Sequence, residues 1–537
     1  MKLEYKISQT QLVVIVSLFL VVFGNFAFVK NVLAVYPVDL GNIAFLLSLV
    51  MLFASFNIVL LSLFCIKKFA KPFLIVLLLV SSQAAYFMDS YNIIISDEMI
   101  DNIFKTDTNE AMDLVSIKQV LYLALLGVLP SVLVYNAKVD DMALTQAVFC
   151  NIILIVKALL VCAVLLFSLS DFYASFFREH RTLRFYANPT YYIYSIGKYV
   201  KGFFKPDSEY FREIAQDAKS SPSDSESERK LVIFVLGETA RADHFSLNGY
   251  HKKTNPLLEQ ENVYSFDKVS SCGTSTAHSV PCMFSIYGRS DFNKSKANQT
   301  ENVLDILQRT GVNVIWLDNN SSSKGVADRV TYQSYKSKDL NPVCDTECRD
   351  EGMLANLQSY IDTYASGDVF IVLHQMGNHG PAYYKRYPKS FEKFVPICAT
   401  NQLEQCTQEE ISNTYDNALL YTDYFLAQAI GLLKNNDEQF RTALLYVSDH
   451  GESLGENNLY LHGLPYMVAP EAQTNVPMIM WFGEAYKQGG IDFSQIRDSV
   501  NQPFSHDNLF HTILGLMEIQ TSVYDSDMDI ISHKNNE

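Results

Sequence analysis

Basic side chains are in short supply in the second half of this sequence. Over the whole chain 58 Asp and Glu outnumber 42 Lys and Arg, a formal charge of -16. Residues 1–204 hold 15 of the basic and 13 of the acidic side chains, which leaves 27 and 45 for residues 205–537. A half so acidic would repel a nucleic-acid backbone instead of releasing its counterions, which argues against a nucleic-acid binder. Cysteine never occurs as C-x2-C, so the usual zinc-knuckle spacing is missing. The first apolar run has no clear small-x-small cleavage site and more apolar runs follow, so it does not read as a cleaved signal. Low-complexity polar sequence is limited to residues 220–229, SSPSDSESER, a short flexible linker. With 49% hydrophobic residues the chain is not disordered, and 537 residues are too many for one soluble core.

What the first half does have is five apolar runs, near residues 11–29, 42–66, 72–88, 120–135 and 147–169. Most approach the roughly 20 residues that span a bilayer as helix. The fourth is the shortest and contains Pro130, which neighbouring helices tolerate. Lys2, Lys6, Lys67, Lys68, Lys71 and Lys138 mark one side. The loop between the third and fourth runs is acidic, with Asp89, Asp97, Glu98, Asp101, Asp107, Glu110 and Asp113. The positive-inside rule then places the N-terminus in the cytoplasm and everything after residue 170 outside. Lys157, near the middle of the fifth run, is expected to face the bundle or a water pocket. Residues 172–204 contain 12 Phe and Tyr among 33, with Arg178, Arg181, Arg184, Lys198 and Lys201 between them. That mixture suits the headgroup layer, as a lipid-gripping segment or a plain anchor.

The second half reads as an α/β domain. LVIFVL (231–236), VNVIWL (312–317), VFIVL (369–373) and ALLYVS (443–448) are unbroken apolar runs between helical stretches, which predicts a parallel sheet covered on both faces. Ligands of such sheets bind at the carboxyl ends of the strands. Here those ends carry Gly237-Glu238-Thr239, Asp318-Asn319-Asn320, His374 and Asp449-His450-Gly451-Glu452. Glu238, Asp449 and His450 are suitable zinc ligands, although each alone could equally be a hydrogen-bonded turn residue. The run SCGTSTAHSVPC (271–282) offers small hydroxyls ahead of Pro281. A helix start there would present free N–H groups to an anion, and a hydroxyl beside a metal becomes a nucleophile. Read alone, the run is a capping loop. Cys65, Cys150 and Cys162 lie in the apolar runs, and the other six fall in close couples: 272/282, 344/348 and 398/406. Fifteen connectivities are open, and nearness in sequence favours local pairing in an oxidising compartment.

The segments GETARADHFSLNGY (237–250), SCGTSTAHSVPCMFS (271–285), DNNSSSKG (318–325), HQMGNHGPAYYKRYP (374–388) and SDHGESLGENNLYLHG (448–463) closely resemble the lipopolysaccharide phosphoethanolamine transferases. That family includes the mobile colistin-resistance enzymes and belongs to the alkaline phosphatase-like superfamily. The five-span layout and FFREHRTLRFYANPTYY (176–192) match it too, so the resemblance covers nearly the whole chain. It implies a helical membrane domain over 1–170, an interfacial segment and linker over 171–230, and a periplasmic catalytic α/β domain over 231–537. Carried over by position, one catalytic zinc is held by Glu238, Thr276, Asp449 and His450, with further zinc left open, and Thr276 is the nucleophile. Asn320, Lys324, His374, His379 and His462 match residues around the phosphoethanolamine or a further zinc. The close cysteine couples match the family's disulfides. His278 departs from the relatives, where an aliphatic or aromatic residue is common, and is expected to sit on a loop.

The implied reaction has two steps. Thr276 takes phosphoethanolamine from phosphatidylethanolamine as a covalent adduct, and an acceptor then displaces it. The acceptor implied is lipid A, with polymyxin resistance as the consequence, in a monomer of the bacterial inner membrane. The alternatives are transfer of phosphoethanolamine or phosphoglycerol to another surface glycan, a phosphatase, or a sulfatase. A sulfatase needs a C/S-x-P-x-R context that Cys272 and Cys282 lack. A catalytically dead membrane-tethered sensor would have lost one of Glu238, Thr276, Asp449 or His450, and all are present.

Overall fold

The computed structural model describes residues 6–105, 108–203, 211–220, 229–488 and 491–531. Most of the linker expected over 220–229 lies outside them. The chain forms two compact units, one of residues 1–100 with 115–204 and the other of residues 101–114 with 205–537.

The first unit is helical. Ile43–Phe64, Lys67–Tyr91, Ile117–Asn136 and Leu144–Ser168 are each long and apolar enough to cross a membrane. The first run is not one straight span. It breaks into Gln9–Phe23 and Phe26–Val35, bent by 58°. Polar side chains hold the break: Asn25 Nδ2 donates to Leu20 O at 2.8 Å and to Asn188 O at 2.7 Å. Asn188 in turn donates to Gly24 O at 2.9 Å and Ser81 O at 3.0 Å. Each of these carbonyls needs a donor in an apolar surrounding, which is why two asparagines sit there. Pro130 follows a π-helical turn at Leu123–Val128, so the i→i−4 ladder is already rearranged where its N–H is missing. Lys157 corrects the reading above: it is exposed on the outside of its helix. The aromatic segment is only partly superficial. Tyr173, Phe176, Tyr186 and Tyr192 are buried among the helices, with the Tyr173 hydroxyl on Ser48 and that of Tyr192 on Ser81. Phe177 and Tyr194 are exposed.

The second unit is built on an eight-stranded sheet. Its strands are β1 (Lys230–Gly237), β2 (Tyr264–Ser270), β3 (Asn313–Asp318), β4 (Thr331–Ser334), β5 (Val369–His374), β6 (Arg441–Ser448), β7 (Asn475–Phe482) and β8 (Phe504–Ser505). The order across the sheet is β8-β2-β7-β6-β1-β5-β3-β4. The five strands from β6 to β4 are mutually parallel, four of them as their apolar runs predict and β4 (TYQS) as an edge strand without such a run, and β7 enters antiparallel to both its neighbours. Alternate residues of β1 serve opposite faces. Val232, Phe234 and Leu236 join the core under helices α1 (Thr276–Met283), α2 (Val303–Arg309) and α4 (Leu509–Leu516). Leu231, Ile233 and Val235 join the core under α3 (Gln408–Asn436). With both faces closed by apolar layers, the strand ends are where polar chemistry has room. In-register pairing aligns those ends: Gly237 with Ser448, Leu236 with His374, and Asp318 with His374.

All six outer cysteines are joined locally, Cys272–Cys282, Cys344–Cys348 and Cys398–Cys406, and Cys65, Cys150 and Cys162 are free.

Candidate active site

The peptide after β1 turns at Thr239 (φ 52°) and places Glu238 directly beside Asp449 and His450, which follow β6. All three side chains are buried. Asp449 Oδ1 accepts from Thr239 N–H at 3.2 Å and His450 N–H at 2.8 Å, which fixes the carboxylate to the two strand ends. His450 Nδ1 donates to Gly451 O at 2.9 Å, so Nε2 keeps its lone pair. That Nε2 lies 3.4 Å from Glu238 Oε1, 3.4 Å from Asp449 Oδ2 and 3.3 Å from Thr276 Oγ. Burial pushes the imidazole down to about 4, so it is neutral at pH 7.

Thr276 is the first residue of α1, earlier than Pro281 suggests. Ser275 is its N-cap, and the Thr276 hydroxyl donates to Glu238 Oε2 at 3.1 Å. Pro281 falls inside the helix and cannot donate to Ala277 O. Lys294 Nζ donates to that carbonyl at 3.0 Å instead. His278, expected on a loop, lies in α1 with its ring edge-on to Phe292.

Four ligand-bearing side chains thus present their oxygen and nitrogen atoms to one another, and the ligand atoms of Glu238, Asp449 and His450 lie within 4.8 Å of one another. Asp449 Oδ2 is buried without a hydrogen-bond partner. A carboxylate oxygen and an imidazole lone pair turned inward, with no donor between them, fit a divalent cation of zinc's preferences. Gly377 closes the back of this cluster at φ 51°, and a Cβ there would lie 2.9 Å from Glu238 O. Only glycine lets the chain pass so near the Glu238 backbone.

Asn320 extends the site along the sheet edge: its Nδ2 donates to Glu238 Oε2 at 2.8 Å and to Gln375 O at 2.7 Å. Lys324, at φ 53° and buried, donates to Ser321 Oγ at 2.6 Å. His462 packs its ring 4.3 Å from that of His450 and 5.8 Å from that of His379. His374 lies deeper. It is fully buried, edge-on to Trp316, with Nδ1 3.0 Å from Asp318 Oδ2. Burial pushes the Asp318 carboxyl up, but the charge of His374 and hydrogen bonds from His374 and Trp316 outweigh it and hold the group below its ordinary value.

Three further residues belong to this edge and were not singled out from the sequence. Glu452 is buried, accepts from Tyr383 Oη at 2.6 Å and from His462 Nδ1 at 2.7 Å, and so fixes the His462 ring. It stood inside the quoted SDHGES run, two residues past His450, and its carboxylate was the available signal. His506 accepts the Cys272 N–H at 3.0 Å and donates to Ser448 O at 3.0 Å, tying the loop before Thr276 to the end of β6. Asp350 accepts from Asn319 Nδ2 at 2.7 Å and Met376 N–H at 2.8 Å. His506 directly follows the two-residue β8 and Asp350 lies far from any strand end, and no apolar run marks either.

Comparison with known proteins agrees with this arrangement. A family model described as Phosphoethanolamine transferase EptA/EptB matches residues 52–203, and one described as Sulfatase matches residues 230–519. The chain is 41% identical over 530 residues to Phosphatidylethanolamine transferase Mcr-2 of Escherichia coli, covering 96% of each. It is 41% identical to Phosphoethanolamine transferase EptA of Escherichia coli K12, covering 94% of this chain and 93% of that one. The solved lipooligosaccharide phosphoethanolamine transferase A of Neisseria meningitidis matches with a TM-score of 0.94 at 34% identity, over 99% of this chain and 100% of that one. A helical unit carrying membrane-length spans, an alkaline phosphatase-like unit with a threonine among carboxylates and imidazole, and these full-length matches lead to one conclusion: the chain belongs to the phosphoethanolamine transferase family.

Proposed function

We propose that this enzyme moves phosphoethanolamine from phosphatidylethanolamine to lipid A at the outer face of the bacterial inner membrane, with Thr276 as covalent carrier. The observation that carries the reading is the placement of the Thr276 hydroxyl, 3.1 Å from Glu238 Oε2 and 3.3 Å from His450 Nε2, at the N-terminus of α1. Glu238, Thr276, Asp449 and His450 would hold a zinc ion. When bound it supplies Lewis acidity at the phosphoryl group and favours the ionised hydroxyl. The chain's own groups do the rest. Glu238 Oε2, which accepts the Thr276 hydroxyl at 3.1 Å, takes its proton in the first half-reaction and returns it to Thr276 Oγ in the second. The free N–H groups of the first turn of α1 receive the phosphoryl oxygens. Asn320, bonded to Glu238, and Lys324, held on the same loop by Ser321, would bind the developing negative charge.

In the first half-reaction the Thr276 Oγ–P bond forms as the bond from phosphorus to the glycerol oxygen breaks. His462 is the group to hand that oxygen its proton, because Glu452 holds Nδ1 and leaves Nε2 toward the site. In the second, an acceptor oxygen attacks phosphorus, the electron pair returns to Thr276 Oγ, and His462 takes up any acceptor proton. Lipid A is the acceptor favoured by the likeness to the lipooligosaccharide enzyme, and reduced surface charge with polymyxin resistance would follow.

Intact-mass analysis after incubation with phosphatidylethanolamine tests the carrier. The adduct is expected on Thr276 and absent from Thr276→Ala, with folding unchanged. An adduct on Thr274, Ser275 or Ser279 would refute the assignment. Mass spectra of lipopolysaccharide from cells with and without the gene test the acceptor.

A further inference from the structure

Part of the acidic loop between the third and fourth apolar runs folds with the catalytic unit. Residues 101–114 belong to the second unit, while the chain on both sides of them belongs to the first. Two aspartates near the ends of this segment each meet a cation, and each cation holds a backbone carbonyl at the active site. Asp101, in the helix Asp97–Lys105, accepts from Lys294 Nζ at 2.6 Å. Lys294 Nζ also donates to the carbonyl of Ala277, the residue after Thr276, at 3.0 Å. Asp113 accepts from Arg386 at 2.6 Å, and Arg386 Nε donates to His379 O at 2.7 Å.

The contact at Ala277 replaces a bond that α1 cannot make, because Pro281 has no N–H to offer. A lysine alone is a poor substitute. Its long stem loses much rotamer freedom when fixed, and an ammonium beside the first turn of a helix opposes the helix dipole. Asp101 offsets both costs, since it fixes the ammonium and balances its charge. Lys105, one turn along the same helix, holds the same carboxylate oxygen at 2.9 Å. The side chains of Lys294 and Asp101 are only 25% and 20% exposed, so this is not a solvated surface pair of negligible worth. What the pair holds is the orientation of the first turn of α1. Thr276 opens that turn, with its hydroxyl 3.1 Å from Glu238 Oε2 and 3.3 Å from His450 Nε2. A tilt that displaces the hydroxyl by about 1 Å costs on the order of a hundredfold in rate.

We infer that Asp101 is a positioning residue for Thr276: acting through Lys294, it holds the first turn of α1 in the orientation from which the hydroxyl attacks the donor phosphorus. A segment lying between two apolar runs is thereby part of the catalytic machinery. This rests on Thr276 being the carrier. Neither Asp101 nor Lys294 touches the reacting atoms, and the bonds and protons that change hands are those already given.

The test is single-turnover adduct formation by the full chain in phosphatidylethanolamine vesicles, read by intact mass at a temperature where every variant is folded. Lys294→Met keeps the apolar stem and removes the donor. Its adduct should form about tenfold or more slowly, while the donor concentration for half-maximal rate stays within about twofold of the parent. Pro281→Ala supplies an N–H for Ala277 O, so P281A/K294M should recover most of the rate. Asp101→Asn should slow the step about three- to tenfold, as weakening of one charge-assisted contact implies, and Asp101→Glu should recover much of that loss. Because Asp101 acts only through Lys294, D101N/K294M should be no slower than Lys294→Met alone. Parent-like rates for Lys294→Met would overturn the inference, as would a D101N effect that multiplies with that of K294M. A slow K294M that P281A fails to rescue would assign the effect to the ammonium charge and overturn it as well. Absence of a Thr276 adduct in the parent itself would instead overturn the carrier mechanism, and the inference with it.

Discussion

Glu452 shows how much of this site depends on groups that do not themselves face the substrate. Its two oxygens receive Tyr383 Oη and His462 Nδ1, and it is fully buried. Ionised, it accepts both bonds and strengthens the basicity of the imidazole. Glu452→Gln keeps the shape but must offer an N–H to one of these partners. Transfer should fall about 10- to 100-fold, the usual cost of losing such support, while zinc content stays at the parent level by metal analysis. Loss of zinc together with activity would show that Glu452 is a ligand and not a positioning group. At Thr276 the conservative change is the informative one. Thr276→Ser keeps the hydroxyl and should retain a measurable adduct by intact mass, where Thr276→Ala shows none.

At the level of single elements, α1 and α3 each carry a testable compensation. In α1 the proline at position 281 leaves Ala277 O without its helical donor, and Lys294 Nζ fills the gap. Lys294→Ala should lower stability by about 1–2 kcal/mol by leaving that carbonyl unsatisfied. Pro281→Ala restores an N–H at the right place, so the double variant should lose less than the single changes together. Melting of all three variants gives the coupling, expected at about 0.5 kcal/mol or more. In α3, Asp423 accepts from the N–H groups of Leu257 and Leu258, at 2.9 and 3.0 Å. Burial nonetheless pushes its carboxyl up to about 7. The folded state then holds a proton that the unfolded chain, at its ordinary 3.8, releases earlier. Stability from this group is full below pH 4 and is lost as pH rises toward 7. Asp423→Asn should flatten that part of the stability–pH curve, measured by thermal melting between pH 4 and 7.

For the molecule as a whole, a zinc ion held as proposed by Glu238, Asp449 and His450 would link folding of the second unit to metal supply. A chelator should lower its melting temperature and abolish transfer, and added zinc should restore both. At a hundredfold excess over Kd the ion contributes about 2.7 kcal/mol. Chelation that removes activity without moving the melting temperature would speak against a site made by the ends of β1 and β6. Four of the five parallel strands were legible because each is an unbroken apolar run ending in a polar group, the pattern of a strand buried on both faces; β4, the exposed TYQS at the edge of the sheet, has no such run and went unread. The membrane spans were legible from length, except where Asn25 and Asn188 bend the first one, a contact across 163 residues that no local window contains. The start of α1 was misjudged by several residues because Pro281 marks a first turn only when its missing N–H has no substitute, and Lys294 provides one. His506 and Asp350 stayed hidden for the same reason as Asn188: their partners are distant in sequence and close only in the fold.

The in-register pairing of the sheet also acts as a ruler. Neighbouring strands lie about 4.8 Å apart, so each strand end is one graduation on a scale that starts at Glu238, Asp449 and His450. Glu238 and Asp449 occupy adjacent marks, close enough to share one ion. The end of β3 stands two marks from β1, roughly 10 Å along the edge by that spacing. Asn320, which follows it, nonetheless donates to Glu238 Oε2 at 2.8 Å. The loop after β3 therefore leans back across the end of β5, and the pocket at Glu238 is narrower than the sheet edge that carries it.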